Sequence, residues 1–155
     1  MPWHTAYIAL GSNLGDRASA LAEALRLLTD VGCFVSATGP ILETKPVDCP
    51  PGSGDFLNTV VAVRTLLSPG ELHDRLQSIE QTIGRERDVR NGPRVIDLDL
   101  LLFDDVVVKS PTLTVPHPRL HQRRFVLEPL ATIAGDVIHP TLGRSIVELL
   151  RDLPE

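Results

Sequence analysis

The chain has 155 residues, with 15 Lys and Arg against 20 Asp and Glu, a net charge of −5. A single domain of this length buries about two-thirds of its unfolded surface and needs no disulfide or structural metal, and a net acidic surface argues against general binding to nucleic acid or membranes. Cys33 and Cys49 are the only cysteines, without metal-ligand or framework spacing, and no long apolar run or signal peptide is evident. The expectation is a soluble cytoplasmic protein with reduced thiols.

Residues 5–10, TAYIAL, read as a strand that ends in a tight turn at Gly11-Ser12-Asn13. Asp16 opens an amphipathic helix to about Val31, with Leu21, Leu25 and Leu28 at helical spacing, Ala18 and Ala22 on the same side, and Gly32 as the stop. Residues 33–43 form a second strand broken at Gly39-Pro40, and 44–54 form a Pro- and Gly-rich loop. The third strand is 56–65. Ser68-Pro69-Gly70-Glu71 then presents an N-cap, a first-turn proline and a capping-box glutamate, and the helix it opens stops at Gly84. Residues 85–93 are a polar loop. Residues 95–103 are a fourth strand, turned by Asp104-Asp105 into a short partner strand over 106–109. Helices are expected at 121–133 and 145–153. The order β-α-β-β-α-β plus C-terminal helices predicts one α+β domain spanning 1–155. Its core is a ferredoxin-like mixed or antiparallel sheet, with helices mostly on one face. That fold hosts many activities and does not decide function.

The chemistry concentrates in Arg94-Val95-Ile96-Asp97-Leu98-Asp99-Leu100-Leu101-Leu102. Ile96, Leu98, Leu100 and Leu102 alternate onto one face, and Asp97 and Asp99 point to the other. Aspartate is disfavoured in strands. Two same-face carboxylates about 7 Å apart repel unless a positive group sits with them. A hard divalent cation such as Mg²⁺, which takes carboxylate and phosphate oxygens, is the natural partner. The plain alternative is an edge strand with a solvated acidic face. The apolar character of the strand favours a central position instead.

Arg85, Arg87, Arg90 and Arg94 lead directly into this pair, and Arg123 and Arg124 follow later. The planar guanidinium suits phosphate oxygens, although such a loop also serves solubility. Asn58 sits inside an apolar strand, where a buried amide must find partners. It suits either a backbone contact or the donor–acceptor edge of a heterocycle, with Phe56 and Phe125 available to stack. His117 is held between Pro116 and Pro118 and reads first as structural. Gly11-Ser12-Asn13-Leu14-Gly15 lacks the spacing of a phosphate-binding fingerprint and reads first as a turn.

These motifs resemble one family, the 6-hydroxymethyl-7,8-dihydropterin pyrophosphokinases of folate biosynthesis. The markers are the block Ala6 to Asp16, Phe56-Leu57-Asn58, Glu80 to Arg85, Gly92-Pro93-Arg94-Val95-Ile96-Asp97-Leu98-Asp99, Pro116-His117-Pro118-Arg119, and Arg123-Arg124-Phe125 through Leu130. The resemblance implies transfer of the terminal diphosphate of ATP to a pterin hydroxymethyl group, with release of AMP. It also implies two Mg²⁺ ions and a core with mobile loops. It assigns the metals to Asp97 and Asp99 and phosphate charge to Arg85 and Arg94. The pterin falls to Asn58, Phe56, Phe125, Thr44, Pro46 and Val47. ATP falls to Gln77, Arg87, Arg90, Leu100, Thr114, His117 and Arg123. Phe56 stands where tyrosine is frequent, Asn91 where many members carry tryptophan, and Pro118 where some carry an aromatic. The expected partners are ATP and the pterin alone, with the protein a monomer. Two other classes share parts of the pattern. A metal-dependent phosphotransferase or nucleotidyltransferase would use the Asp pair without the pterin pocket. A ferredoxin-like RNA-binding module would need exposed aromatics on a basic surface.

Overall fold

The computed structural model describes residues 2–45, 54–84 and 95–154. Strand β1 (His4–Ser12) lies between two antiparallel partners, β4 (Phe56–Thr65) and β5 (Asp97–Phe103). On the far side of β4 run β2 (Cys33–Thr38) and β3 (Leu42–Thr44), one after the other along the same edge. The sheet order β2-β4-β1-β5 is the split-βαβ arrangement expected, and all its pairs are antiparallel. Residues 46–53 and 85–94 include Pro46, Val47, Cys49, Arg85, Arg87, Arg90, Asn91 and Arg94, which therefore lie outside the described residues.

Helix α1 (Arg17–Asp30) is capped by Asp16, whose carboxylate accepts the Ser19 N–H. Helix α2 (Pro69–Ile83) begins at the expected capping box, with Ser68 and Glu71 bonded reciprocally, and ends at Gly84. Ala6, Ile8, Leu10, Val61, Val63, Leu98 and Leu100 meet Leu21, Leu28, Leu72 and Leu76 in one core beneath the sheet. Burying each such leucine or isoleucine contributes about 1.5–3 kcal/mol. On α1 the buried alanines are Ala20 and Ala24, whereas Ala18 and Ala22 face solvent, because the buried stripe is rotated one position from the expected one.

The opposite face is covered as well. Helices α3 (Arg124–Ala134) and α4 (Ile146–Arg151) bury Val60, Leu101 and Leu102 with Leu127, Leu130 and Ile146. The expectation of helices mostly on one face is thus corrected, because β4 and β5 carry apolar side chains on both faces. The single helix expected over 121–133 is two pieces, a 3₁₀ turn at Leu120–Gln122 and then α3, interrupted by the extended backbone of Arg123.

Three further departures arise from strand pairing. Glycine 11 and Ser12 belong to β1 and not to a turn, because β1 stays paired as far as Ser12. The short strand after Asp105 does not pair with β5. It is β6 (Val108–Lys109), and it pairs with β7 (Thr114–Val115) in a separate ribbon. Finally, β5 begins at Asp97 and is the outer strand of the main sheet, not a central one. Its apolar composition comes from burial on both faces. The Glu80 carboxylate accepts its Leu98 N–H at 2.7 Å, and its Leu101 carbonyl accepts the His117 N–H at 2.9 Å, so polar groups of its outer edge are met locally. A bulge sets the side-chain directions. Tyr7 pairs with Leu102 but Ile8 with Leu100, so Leu101 is the extra residue and Leu102 joins the α3 side instead of following Leu100.

Candidate active site

Directly opposed residues of antiparallel strands share a face. Gly11 is opposed by Asn58 on β4 and by Asp97 on β5, and Ala9 is opposed by Val60 and by Asp99. Two parallel rows therefore cross the sheet on its α3 side. One reads Asn58–Gly11–Asp97 and the other Val60–Ala9–Asp99. Thr44 and Phe56 oppose each other one step further out on the same face. The pleat that sends Leu98 and Leu100 into the lower core thus delivers Asp97 and Asp99, half-buried, to the upper face.

The middle strand of these rows carries only Gly11 and Ala9. A Cβ added at Gly11 would stand 3.0 Å from Asn58 Oδ1 and 3.4 Å from the Phe56 ring. Glycine here lets a ring lie against the backbone of β1. Asn58 is 6% exposed, and its Nδ2 donates to Thr44 Oγ1 at 2.6 Å. That bond fixes which way the amide points, so its oxygen turns toward Gly11. Phe125, in the first turn of α3, packs against the apolar cluster on this face, and the Arg123 guanidinium lies 5.6 Å from its ring centroid. Pro129 has no N–H to offer the Phe125 carbonyl across the turn. Gly39 lets the β2–β3 connection approach α3, since a Cβ there would meet the Pro129 carbonyl at 2.9 Å.

His117 joins the site from the β5 edge. Its Nδ1 accepts the Arg119 N–H at 3.1 Å, which leaves the ring proton on Nε2. Burial pushes its pKa down to about 4; the Arg123 and Arg119 charges act in the same direction and Asp97 acts against them. The ring is therefore a neutral Nε2–H donor at neutral pH, within electrostatic reach of both Asp97 and Arg123. The bond to the Arg119 N–H agrees with the structural reading of His117, and the free Nε2–H leaves it able to donate as well.

Among the described residues no group of three or more His, Cys, Asp or Glu side chains could hold a metal. Two carboxylates on small-residue flooring are nevertheless the donor set of a hard cation that keeps waters and takes phosphate oxygens. The remaining expected positions are dispersed. Gln77 is exposed on α2, one turn before Glu80, and Thr114 is exposed on β7 beside β5. Leu100 is 5% exposed and points into the lower core, away from the Asp pair, so only its backbone borders the β5 edge. Gly11, which sequence reading assigns to a turn, is a floor residue of the rows, and Arg17 is passed over altogether. A glycine inside an alternating apolar strand was the available signal for the first.

The family model for 7,8-dihydro-6-hydroxymethylpterin-pyrophosphokinase (HPPK) matches residues 7–135. The chain belongs to this family. It is 47% identical over 133 residues to the 2-amino-4-hydroxy-6-hydroxymethyldihydropteridine pyrophosphokinase of Bacillus subtilis, covering 85% of this chain and 79% of that one. It is 40% identical over 153 residues to the folic acid synthesis protein fol1 of Schizosaccharomyces pombe, covering 96% of this chain. The chain spans about one-fifth of that fungal relative, 20% of its length. A crystal structure of Plasmodium falciparum HPPK-DHPS superimposes with a TM-score of 0.77 at 16% identity, over 97% of this chain and 45% of that one. That likeness establishes the shared fold.

Proposed function

We propose that this chain transfers the terminal diphosphate of ATP to the hydroxymethyl oxygen of 6-hydroxymethyl-7,8-dihydropterin and releases AMP. The observation that carries the reading is the row Asn58–Gly11–Asp97. Two inter-strand spacings, about 10 Å, separate its ends. A bicyclic heterocycle read at one end by the Asn58 amide would present its substituent near the carboxylates at the other. Phe56 and Phe125 flank the amide end and supply stacking surface. Thr44, by holding Asn58, keeps the amide in the orientation that reads the ring; the family resemblance also assigns Pro46 and Val47, which lie outside the described residues, to the pterin.

In this reading Asp97 and Asp99 hold two Mg²⁺ ions, which would offset phosphate charge during the transfer. Arg85 and Arg94 act on the same charge from the protein side. Gln77, Arg87, Arg90, Leu100, Thr114, His117 and Arg123 receive ATP, with His117 donating from Nε2 and Arg123 acting as a cation at the start of α3. The hydroxymethyl oxygen attacks the β-phosphorus, and the α–β bridging oxygen leaves with AMP. Positioning and electrostatics supply most of the acceleration, so no strong general base is required. The reading takes residues 1–155 as one domain acting as a monomer in the cytoplasm, with no nucleic-acid or membrane partner. No helix among the described residues is long and apolar enough to cross a membrane.

The test is to mix the purified protein with ATP, Mg²⁺ and the reduced hydroxymethylpterin and to follow AMP. Stoichiometric AMP and pterin diphosphate are expected. ADP as product, or turnover that ignores the pterin, would replace this reading with another phosphotransferase.

A further inference from the structure

We infer that Arg17 is a positioning residue for the pterin pocket, acting from the opposite face of the sheet. This rests on the pyrophosphokinase reading above. The Nη1 nitrogen of Arg17 donates to Glu43 Oε2 at 2.6 Å and to the Asp55 carbonyl at 2.9 Å. Glu43 immediately precedes Thr44, and Asp55 immediately precedes Phe56. One guanidinium nitrogen thus ties together the two stems on either side of residues 46–53.

Strand alternation determines what the tie can do. Thr44 and Phe56 face the pocket, while Glu43 and its register partner Leu57 face the lower core where α1 packs. Arg17, the first residue of α1, therefore never needs to touch a ligand. It holds the backbone from behind while the pocket residues act in front. The tie matters because β3 has only three residues and three register pairs with β4, too few to be rigid by its own ladder. The bond from Asn58 to Thr44 depends on that short pairing. Asn13 Nδ2, which donates to the Gly54 carbonyl at 3.1 Å, secures the same stem from the β1–α1 connection.

The test compares wild type, Arg17→Ala, Arg17→Lys and Glu43→Gln in the full chain. The readouts are kcat and the KM values for pterin and for ATP, with the thermal midpoint alongside. Loss of one charged pair and one carbonyl bond at a half-exposed site should raise the pterin KM about three- to ten-fold in Arg17→Ala. The ATP KM should stay near wild type, and Arg17→Lys should recover part of the loss because an ammonium can donate to both oxygens. Glu43→Gln should shift the pterin KM in the same direction by less. An unchanged pterin KM in folded Arg17→Ala overturns the inference. So does a parallel rise in both KM values that tracks a lowered thermal midpoint, which is what a merely structural contact would give. Should Arg17→Ala fail to fold, the Lys and Gln variants decide by the same ratio. A wild-type protein that makes no AMP would reject the pyrophosphokinase reading, and this inference with it; an active wild type with indifferent variants would reject this inference alone.

Discussion

Asn58 and Asp97 stand at the two ends of one row of the sheet, each opposed to Gly11 from a different side. They are 39 positions apart in the sequence, as their numbers show, yet the pairing of β4 and β5 to the same strand sets them about 10 Å apart on one face. The spacing between the amide and the carboxylates is thus a property of the sheet and not of either side chain.

Replacing either carboxylate should remove activity. Asp97→Ala and Asp99→Ala are expected to lower turnover about 10³-fold or more, since metal-assisted charge stabilisation is worth several kcal/mol. Circular dichroism and thermal melts should stay close to wild type, because both side chains sit on the face opposite the lower core. Near-normal turnover of either variant at saturating Mg²⁺ would remove the metal assignment.

Asn58→Ala should weaken pterin binding by about 1–3 kcal/mol, because the heterocycle edge and the Thr44 hydroxyl both lose a partner. ATP affinity should change little. Calorimetry with each ligand separately distinguishes this from disruption of β4, which would weaken both.

Gly11→Ala probes the floor between the two ends. Its Cβ would press on Asn58 Oδ1 at 3.0 Å and on the Phe56 ring at 3.4 Å. Overpacking of this kind costs about 1–3 kcal/mol, and here it should appear mainly as a raised pterin KM. A variant with wild-type pterin KM would show that the heterocycle does not lie over β1.

His139 should make stability pH-dependent. Its buried Nδ1 accepts the Thr141 and Leu142 N–H groups at 3.2 and 3.1 Å. Burial pushes its pKa below 6.5, with His121 acting in the same direction and a backbone hydrogen bond opposing. From 6.5 downward the unfolded chain therefore binds more protons than the native one. The contribution is full above that value and is lost as the pH falls through the native pKa. His117 carries the same sign. His139→Asn, whose Oδ1 can replace Nδ1 as acceptor, should show a shallower fall of the melting midpoint between about pH 7 and pH 5 than wild type. Parallel curves would assign the slope to other groups.

Much of this architecture is written in local signals. The capping box at Ser68, the stop at Gly84, the span of β4 and the alternation of Asp97 and Asp99 against Leu98 and Leu100 depend only on near neighbours and on the strand period. So does the grouping of Asn58 with Phe56.

What tertiary structure alone decides is which strands meet. The edge position of β5 and its masking by Glu80 and His117 depend on contacts between distant segments, as does the extension of β1 through Gly11 and Ser12. The bulge that turns Leu102 to the α3 side is of the same kind, and so is the placement of α3 and α4 above the sheet. An apolar strand buried on both faces has the same composition whether it is central or outermost, because side-chain burial is set by the layers above and below it. Its place in the sheet is set by backbone hydrogen bonds, which every residue but proline can make. For the same reason sequence reading passes over Arg17, and only the folded chain brings it to the two stems on either side of residues 46–53.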